Sequence, residues 1–159
     1  MTSYRRTRSA ILEGAKSMIT KQGLQKTSMI EIADEAEVSR ATLYNHFRDK
    51  ESVMRALLEN EVERIISAAL AEGSPAEALA RISIEISSDL ALATLRKTDP
   101  ASLTNILTSH DDPLWVQVVS SLREITLGKQ EFALRWLIGQ FFAPINVEES
   151  RLQVRDLIL

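Results

Sequence analysis

The stretch TSMIEIADEAEVSRATLYNHF, Thr27 to Phe47, decides the fold class. Ser28-Met29-Ile30-Glu31 has the form of a capping box, in which the serine oxygen accepts from the amide three residues on and the glutamate reaches back. Met29, Ile32, Ala33 and Ala36 then fall at i, i+3, i+4 and i+7, giving a short helix with one apolar face. It cannot run far, because Val38 supplies a buried anchor and Ser39 the next N-cap. A second short helix, Arg40 to Phe47, turns Leu43 and Phe47 inward at i and i+4. Its other face shows Arg40, Thr42, Asn45 and His46, with Tyr44 on the flank. Two short helices joined by a tight turn, the second displaying hydrogen-bonding side chains, make the helix-turn-helix layout that suits the DNA major groove.

The side chains match that layout chemically. An arginine near the start of a recognition helix, here Arg40, can bond guanine O6 and N7 together. The Thr42 hydroxyl can bond a base or a phosphate, and its methyl can touch that of thymine. Tyr44 and His46 have polar tips suited to phosphate oxygens, which set register without reading sequence. Lys50, at the start of the next helix, combines its charge with free amides that favour an anion, and Thr27 and Ser28 do likewise at the first motif helix. The competing interpretation is a polar face that is merely solvated.

Away from the motif, the composition narrows the alternatives. The chain has 159 residues and no cysteine, which excludes disulfides, iron–sulfur clusters and thiol nucleophiles. The longest uncharged run, Trp136 to Val147, is far short of the roughly 20 apolar residues of a membrane span. Tyr4-Arg5-Arg6-Thr7-Arg8 leads into an amphipathic run with Glu13, Lys16 and Lys21, unlike a signal peptide, so a cytoplasmic location is expected. The net charge of −3 argues against nucleic acid only until it is divided. Residues 1–55 hold ten Lys or Arg against seven Asp or Glu, a net of +3, and the remainder nets −6.

The rest of the sequence is helical in period. Ile11, Leu12, Ala15, Met18 and Ile19 form a stripe closed by Gly23, and Val53 to Ala69 a longer one opened by Asp49. Ser74-Pro75, Asp99-Pro100 and Asp112-Pro113 mark helix starts, whereas Pro144 marks an end and a short connection. Leu79, Ile82, Ile86, Leu90 and Ala93 read as one stripe, and Leu114 to Ile125 as another. Phe132 to Phe142 leaves almost no polar face and so demands cover on all sides, and Val147 to Leu159 closes the chain. No alternating strand run is found; the fold class is all-α.

Residues 7–66 resemble the DNA-binding domain of TetR (tetracycline-repressor-like) transcriptional regulators. The resemblance is carried by Ile11-Leu12, Gly23, Thr27-Ser28, Ile32-Ala33, Ala36, Val38-Ser39, Thr42-Leu43-Tyr44, His46-Phe47 and Lys50-Glu51. It implies an N-terminal three-helix helix-turn-helix domain, residues 1–48 with the motif at 28–47. A long helix then joins this domain to a helical ligand-sensing and dimerisation domain at 49–159, nine or so helices in all. It implies a homodimer on double-stranded DNA, most simply a repressor released by a small apolar effector. The DNA contacts implied are Thr27, Ser28, Ser39, Arg40, Ala41, Thr42, Tyr44, Asn45, His46 and Lys50. Two departures stand out. Glu37 occupies a turn position where the family often has glycine, and a left-handed glutamate costs about 1 kcal/mol. The second half is also short for the family, so each helix must be brief.

In that half, Trp115, Val119 and Trp136 are candidates for a ligand pocket. Phe132, Trp136, Phe141 and Leu152 are candidates for a dimer interface, with the helices beginning near Glu131 and Val147 as the pairing elements. His110-Asp111-Asp112 invites a metal or acid–base assignment, but Asp112 before Pro113 is a natural N-cap and no third ligand stands at helical spacing. No cofactor, metal or enzymatic activity is expected.

Overall fold

A computed structural model describes residues 2–109 and 112–158; His110 and Asp111 of the candidate metal cluster lie outside the described residues. Among the described residues there are ten α-helices and no strand, and no helix is long and apolar enough to cross a membrane. Packing forms two compact units.

In the first unit, α1 (Ser3–Gln22) starts at Thr2, whose side chain accepts from the Arg5 amide, and stops at Gly23 with φ 87°. Here glycine is needed twice: for that backbone, and because a Cβ would stand 2.6 Å from Thr98 Oγ1. Helix α2 (Met29–Glu35) carries the full capping box between Ser28 and Glu31. Helix α3 (Arg40–His46) is capped by Ser39, whose Oγ accepts from the Thr42 amide at 3.0 Å. Between α2 and α3, Glu37 does adopt a left-handed backbone, φ 53°. Helix α4 (Lys50–Leu70) is opened by Asp49, which accepts from the Ser52 amide while its own N–H donates to Ser52 Oγ. Ile11, Leu12, Ala15 and Ile19 meet Ile32, Ala33, Leu43, Phe47, Val53, Ala56 and Leu57 in one apolar core. Gly14 lets α1 pass the end of α2, since a Cβ there would lie 3.0 Å from the Ala36 Cβ and backbone nitrogen.

The expected single stripe from Leu79 to Ala93 is two helices, α5 (Pro75–Ser88) and α6 (Leu90–Thr98), parted by Asp89 in extended backbone. Ser88 donates its hydroxyl back to the Ile84 carbonyl, a local bond that competes with helix continuation. Leu90, an expected inward position, is 69% exposed. Helix α6 packs on α1: Ala91 and Leu95 join the apolar core, Thr94 Oγ1 donates to Thr20 O, and Gln25 Nε2 donates to Asp99 Oδ2 at 2.8 Å. Leu90–Ser102 therefore groups with the described residues up to Asn60. A division after residue 48 follows the motif, whereas the packing adds the start of α4 and all of α6 to the first three helices.

The second unit holds α5, most of α7 (Pro100–Thr108), α8 (Pro113–Ile125), α9 (Gln130–Phe142) and α10 (Val147–Ile158). All three X-Pro starts are realised, with Ser74 and Asp112 accepting from the first-turn amides of α5 and α8. Pro144 sits in the connection after α9. Helix α5 is the hub, meeting α8, α9 and α10. At its centre Ser83 Oγ donates to Gln140 Oε1 at 2.6 Å and shares a hydrogen bond with Ser150 Oγ at 2.7 Å, all three residues being buried.

Candidate nucleic-acid interface

Helix α3 is held from beneath by Leu43 and Phe47, so its outer face is displayed on a rigid base. Ser39, Arg40, Ala41, Tyr44 and Asn45 are exposed there and Thr42 is half-buried. The Thr42 hydroxyl shares a hydrogen bond with Ser39 Oγ at 2.8 Å, which orients it at the start of the helix. The sequence-derived set thus comes together on one seven-residue helix, spanning about 10 Å at 1.5 Å per residue. A helix with its side chains is about 10–12 Å across, which fits a major groove roughly 12 Å wide.

The remaining candidates stand differently. Thr27 is 2% exposed and its hydroxyl donates to Gly23 O at 2.8 Å, so it closes the α1–α2 loop instead of facing outward. Ser28 is engaged by Glu31, whose carboxylate accepts from both the Ser28 N–H and Oγ. Those bonds, with one from Gln22, hold the Glu31 carboxyl below its ordinary range, so the anion-favouring end of α2 already has an anion. Lys50 Nζ donates to Leu24 O and Thr27 O, each at 3.0 Å, tying the start of α4 to the same loop and leaving one donor of three. His46 is half-buried and stacked on Tyr4, ring centroids 4.3 Å apart. Tyr4 and Arg8 were missed by the sequence reading: Arg8 lies over the Phe47 ring, 5.4 Å from its centroid. Their i, i+4 spacing was the available signal.

In the second unit, Trp115 and Val119 of α8 line a cleft of about 760 Å³ with Leu134 and Ile138 of α9, rimmed by Arg123 and Arg135. Trp115 donates its indole N–H to Ile106 O at 2.8 Å. Trp136 does not line the cleft: its N–H donates to Gln153 Oε1 at 2.7 Å, toward α10. Of the candidate dimer residues, Phe132 and Leu152 are 67% and 59% exposed, while Trp136 and Phe141 are half-buried. Helix α9 is therefore not covered on all sides within the chain, because Phe142 is exposed as well.

Residues 11–57 match the family described as bacterial regulatory proteins, tetR family. Over 54 residues, 34% of the chain, the sequence is 39% identical to the HTH-type transcriptional regulator YvkB of Bacillus subtilis, covering 29% of it. Over 66 residues it is 32% identical to the HTH-type transcriptional repressor Rv1474c of Mycobacterium tuberculosis, covering 35% of it. The match thus spans about a third of the length of these curated relatives. A crystal structure of a TetR-family transcriptional regulator from Rhodococcus sp. shares the fold at a TM-score of 0.69 and 20% identity, over 97% of each chain. The geometry of the capped α2–turn–α3 pair agrees with the match: both helices of the pair lie within residues 11–57, the segment similar to the tetR family of bacterial regulatory proteins.

Proposed function

We propose that the chain is a homodimeric, DNA-binding transcriptional regulator acting in the cytoplasm, a repressor released from a two-fold operator by a small apolar effector. The observation that carries it is the outer face of α3, where Arg40, Ala41, Tyr44 and Asn45 stand exposed on a fully packed three-helix base. A two-fold pair of such helices would enter successive major grooves about 34–36 Å apart. The dimer reading is supported by the apolar surface left open at Phe132, Phe142 and Leu152, which a second copy would cover. The effector reading is supported by the α8–α9 cleft with Trp115 and Val119 on its wall.

The test is Arg40→Ala, with binding measured on duplexes selected by the wild-type chain and on random duplexes. A bidentate arginine–guanine pair is worth about 1–3 kcal/mol of discrimination, so selected-site affinity falls roughly 5- to 150-fold while random-duplex affinity changes little. Equal losses on both would remove Arg40 from base reading.

A further inference from the structure

The first two turns of α1 carry three arginines, Arg5, Arg6 and Arg8, none of them needed to explain the fold of the helix-turn-helix. No acidic residue occurs in the first turn, although the free amides and helix dipole there favour anions over cations. Arg5 and Arg6 are both exposed. Tyr4 and Arg8, one helical turn apart, share the side that meets the end of α3: Tyr4, itself largely exposed, stacks on His46, the last residue of α3, and Arg8 lies over Phe47. The stack spreads two flat rings at 28° to one another, and the arginine at 5.4 Å is within cation–π range. Together they fasten the start of α1 to the C-terminal end of the recognition helix, about 9 Å along α3 from Arg40.

We infer that the Tyr4–His46 stack seats Arg5 and Arg6 against the DNA backbone beside the groove read by α3, so that the first turn of α1 adds phosphate contacts to each half-site. The inference rests on the DNA-binding reading above and extends its surface. Three features carry it. The basic turn adjoins the end of α3, because Tyr4 stacks on His46, the last residue of that helix. The stack sits at the far end of the reading helix, about 9 Å along α3 from Arg40, so the turn it holds stands beside the segment that reads the groove. The charge is also complementary: two exposed guanidiniums at the positive end of a helix are locally unfavourable until an anion meets them. His46 then acts as the seat for Tyr4; its Nδ1 is buried without a hydrogen-bond partner, so that nitrogen is not presented to a phosphate.

The experiment measures binding of a mixed-sequence 30-base-pair duplex across a salt series, for the wild-type chain, Arg5→Gln/Arg6→Gln, Tyr4→Ala and Tyr4→Phe, with thermal unfolding of each variant. Each lost phosphate contact flattens the slope of log K against log salt by about 0.9, so the double variant loses about 1.8 per bound protomer with unchanged unfolding. Tyr4→Ala flattens the slope in the same direction, and Tyr4→Phe, which keeps the ring, binds as wild type does. A double variant with the wild-type slope overturns the inference and leaves the proposed function standing. A flattened double variant beside a Tyr4→Ala chain of wild-type slope overturns the seating role of the stack. A wild-type chain that binds no duplex at low salt overturns the proposed function and this inference with it.

Discussion

Replacing Lys50 with methionine separates two jobs that one ammonium can hold. Methionine keeps most of the aliphatic stem, so packing along α4 changes little and the charge is what is lost. The ammonium donates to Leu24 O and Thr27 O at 3.0 Å each, and its third N–H is available to a phosphate. Leu24 O also accepts from the Thr27 amide, so it keeps a partner when Lys50 is gone. The main loss is a single charge-assisted bond to Thr27 O, a group at the edge of a buried residue. Hydrogen bonds to charged groups contribute about 1.5–3 kcal/mol, so Lys50→Met costs about 2 kcal/mol, with the half-exposed side chain favouring the lower part of that range. At about 2–4 °C per kcal/mol for a chain of this size, the unfolding midpoint falls by about 4–8 °C. Circular dichroism melting reads it directly. If the midpoint holds while random-duplex affinity drops, the two carbonyl bonds are not what Lys50 does, and the ammonium belongs wholly to the DNA.

Glu37→Gly removes a left-handed strain of about 1–2 kcal/mol and adds about 0.5–1 kcal/mol of unfolded-chain entropy, for a net gain of about 0.5–1 kcal/mol in urea unfolding; a loss would mean that the exposed carboxylate makes a compensating contact. In the second unit, Ser83→Ala leaves Gln140 and Ser150 short of a partner and costs about 1–3 kcal/mol. Adding Gln140→Leu and Ser150→Ala recovers most of that loss, because the Gln140 amide nitrogen is buried unpaired and removing it relieves a desolvated donor. Acid weakens the first unit. Glu31, Glu35, Asp49 and Asp99 are all held below their ordinary range, by the Ser28, Lys21, Ser52 and Gln25 hydrogen bonds respectively. Their contribution is complete above the ordinary carboxylate pKa of about 4 and is lost as pH falls through the depressed values, so the unfolding midpoint declines there. Glu31→Gln shallows that decline.

Local chemistry made much of this legible. The Ser28–Glu31 box, the Ser39 cap and the three X-Pro starts each involve residues within three positions of one another, and each stands as the spacing implies. The break at Asp89 was illegible because the apolar period runs through it; only the Ser87-Ser88-Asp89 run hinted at competition with the helix. The candidate interface was half readable. The α3 face follows from a period of 3.6, but Lys50 meets Leu24 and Thr27, and His46 meets Tyr4, across gaps that carry no periodic signal. Residue type suggested an anion for Thr27, Ser28, His46 and Lys50; local bonds to Gly23 and Glu31 engage Thr27 and Ser28, and the long-range stack on Tyr4 engages His46. The docking of α6 on α1 through Thr94, Thr98 and Asp99 is likewise long-range and had no counterpart in the pattern.

The central claim is that α3 reads DNA sequence from a paired protein. Selection of duplexes from a random pool by the purified chain, followed by sequencing, tests it most directly. The account predicts one enriched site with two inverted half-sites about 10 base pairs apart, centre to centre. A pool that emerges unenriched, or a site without two-fold symmetry, would contradict it.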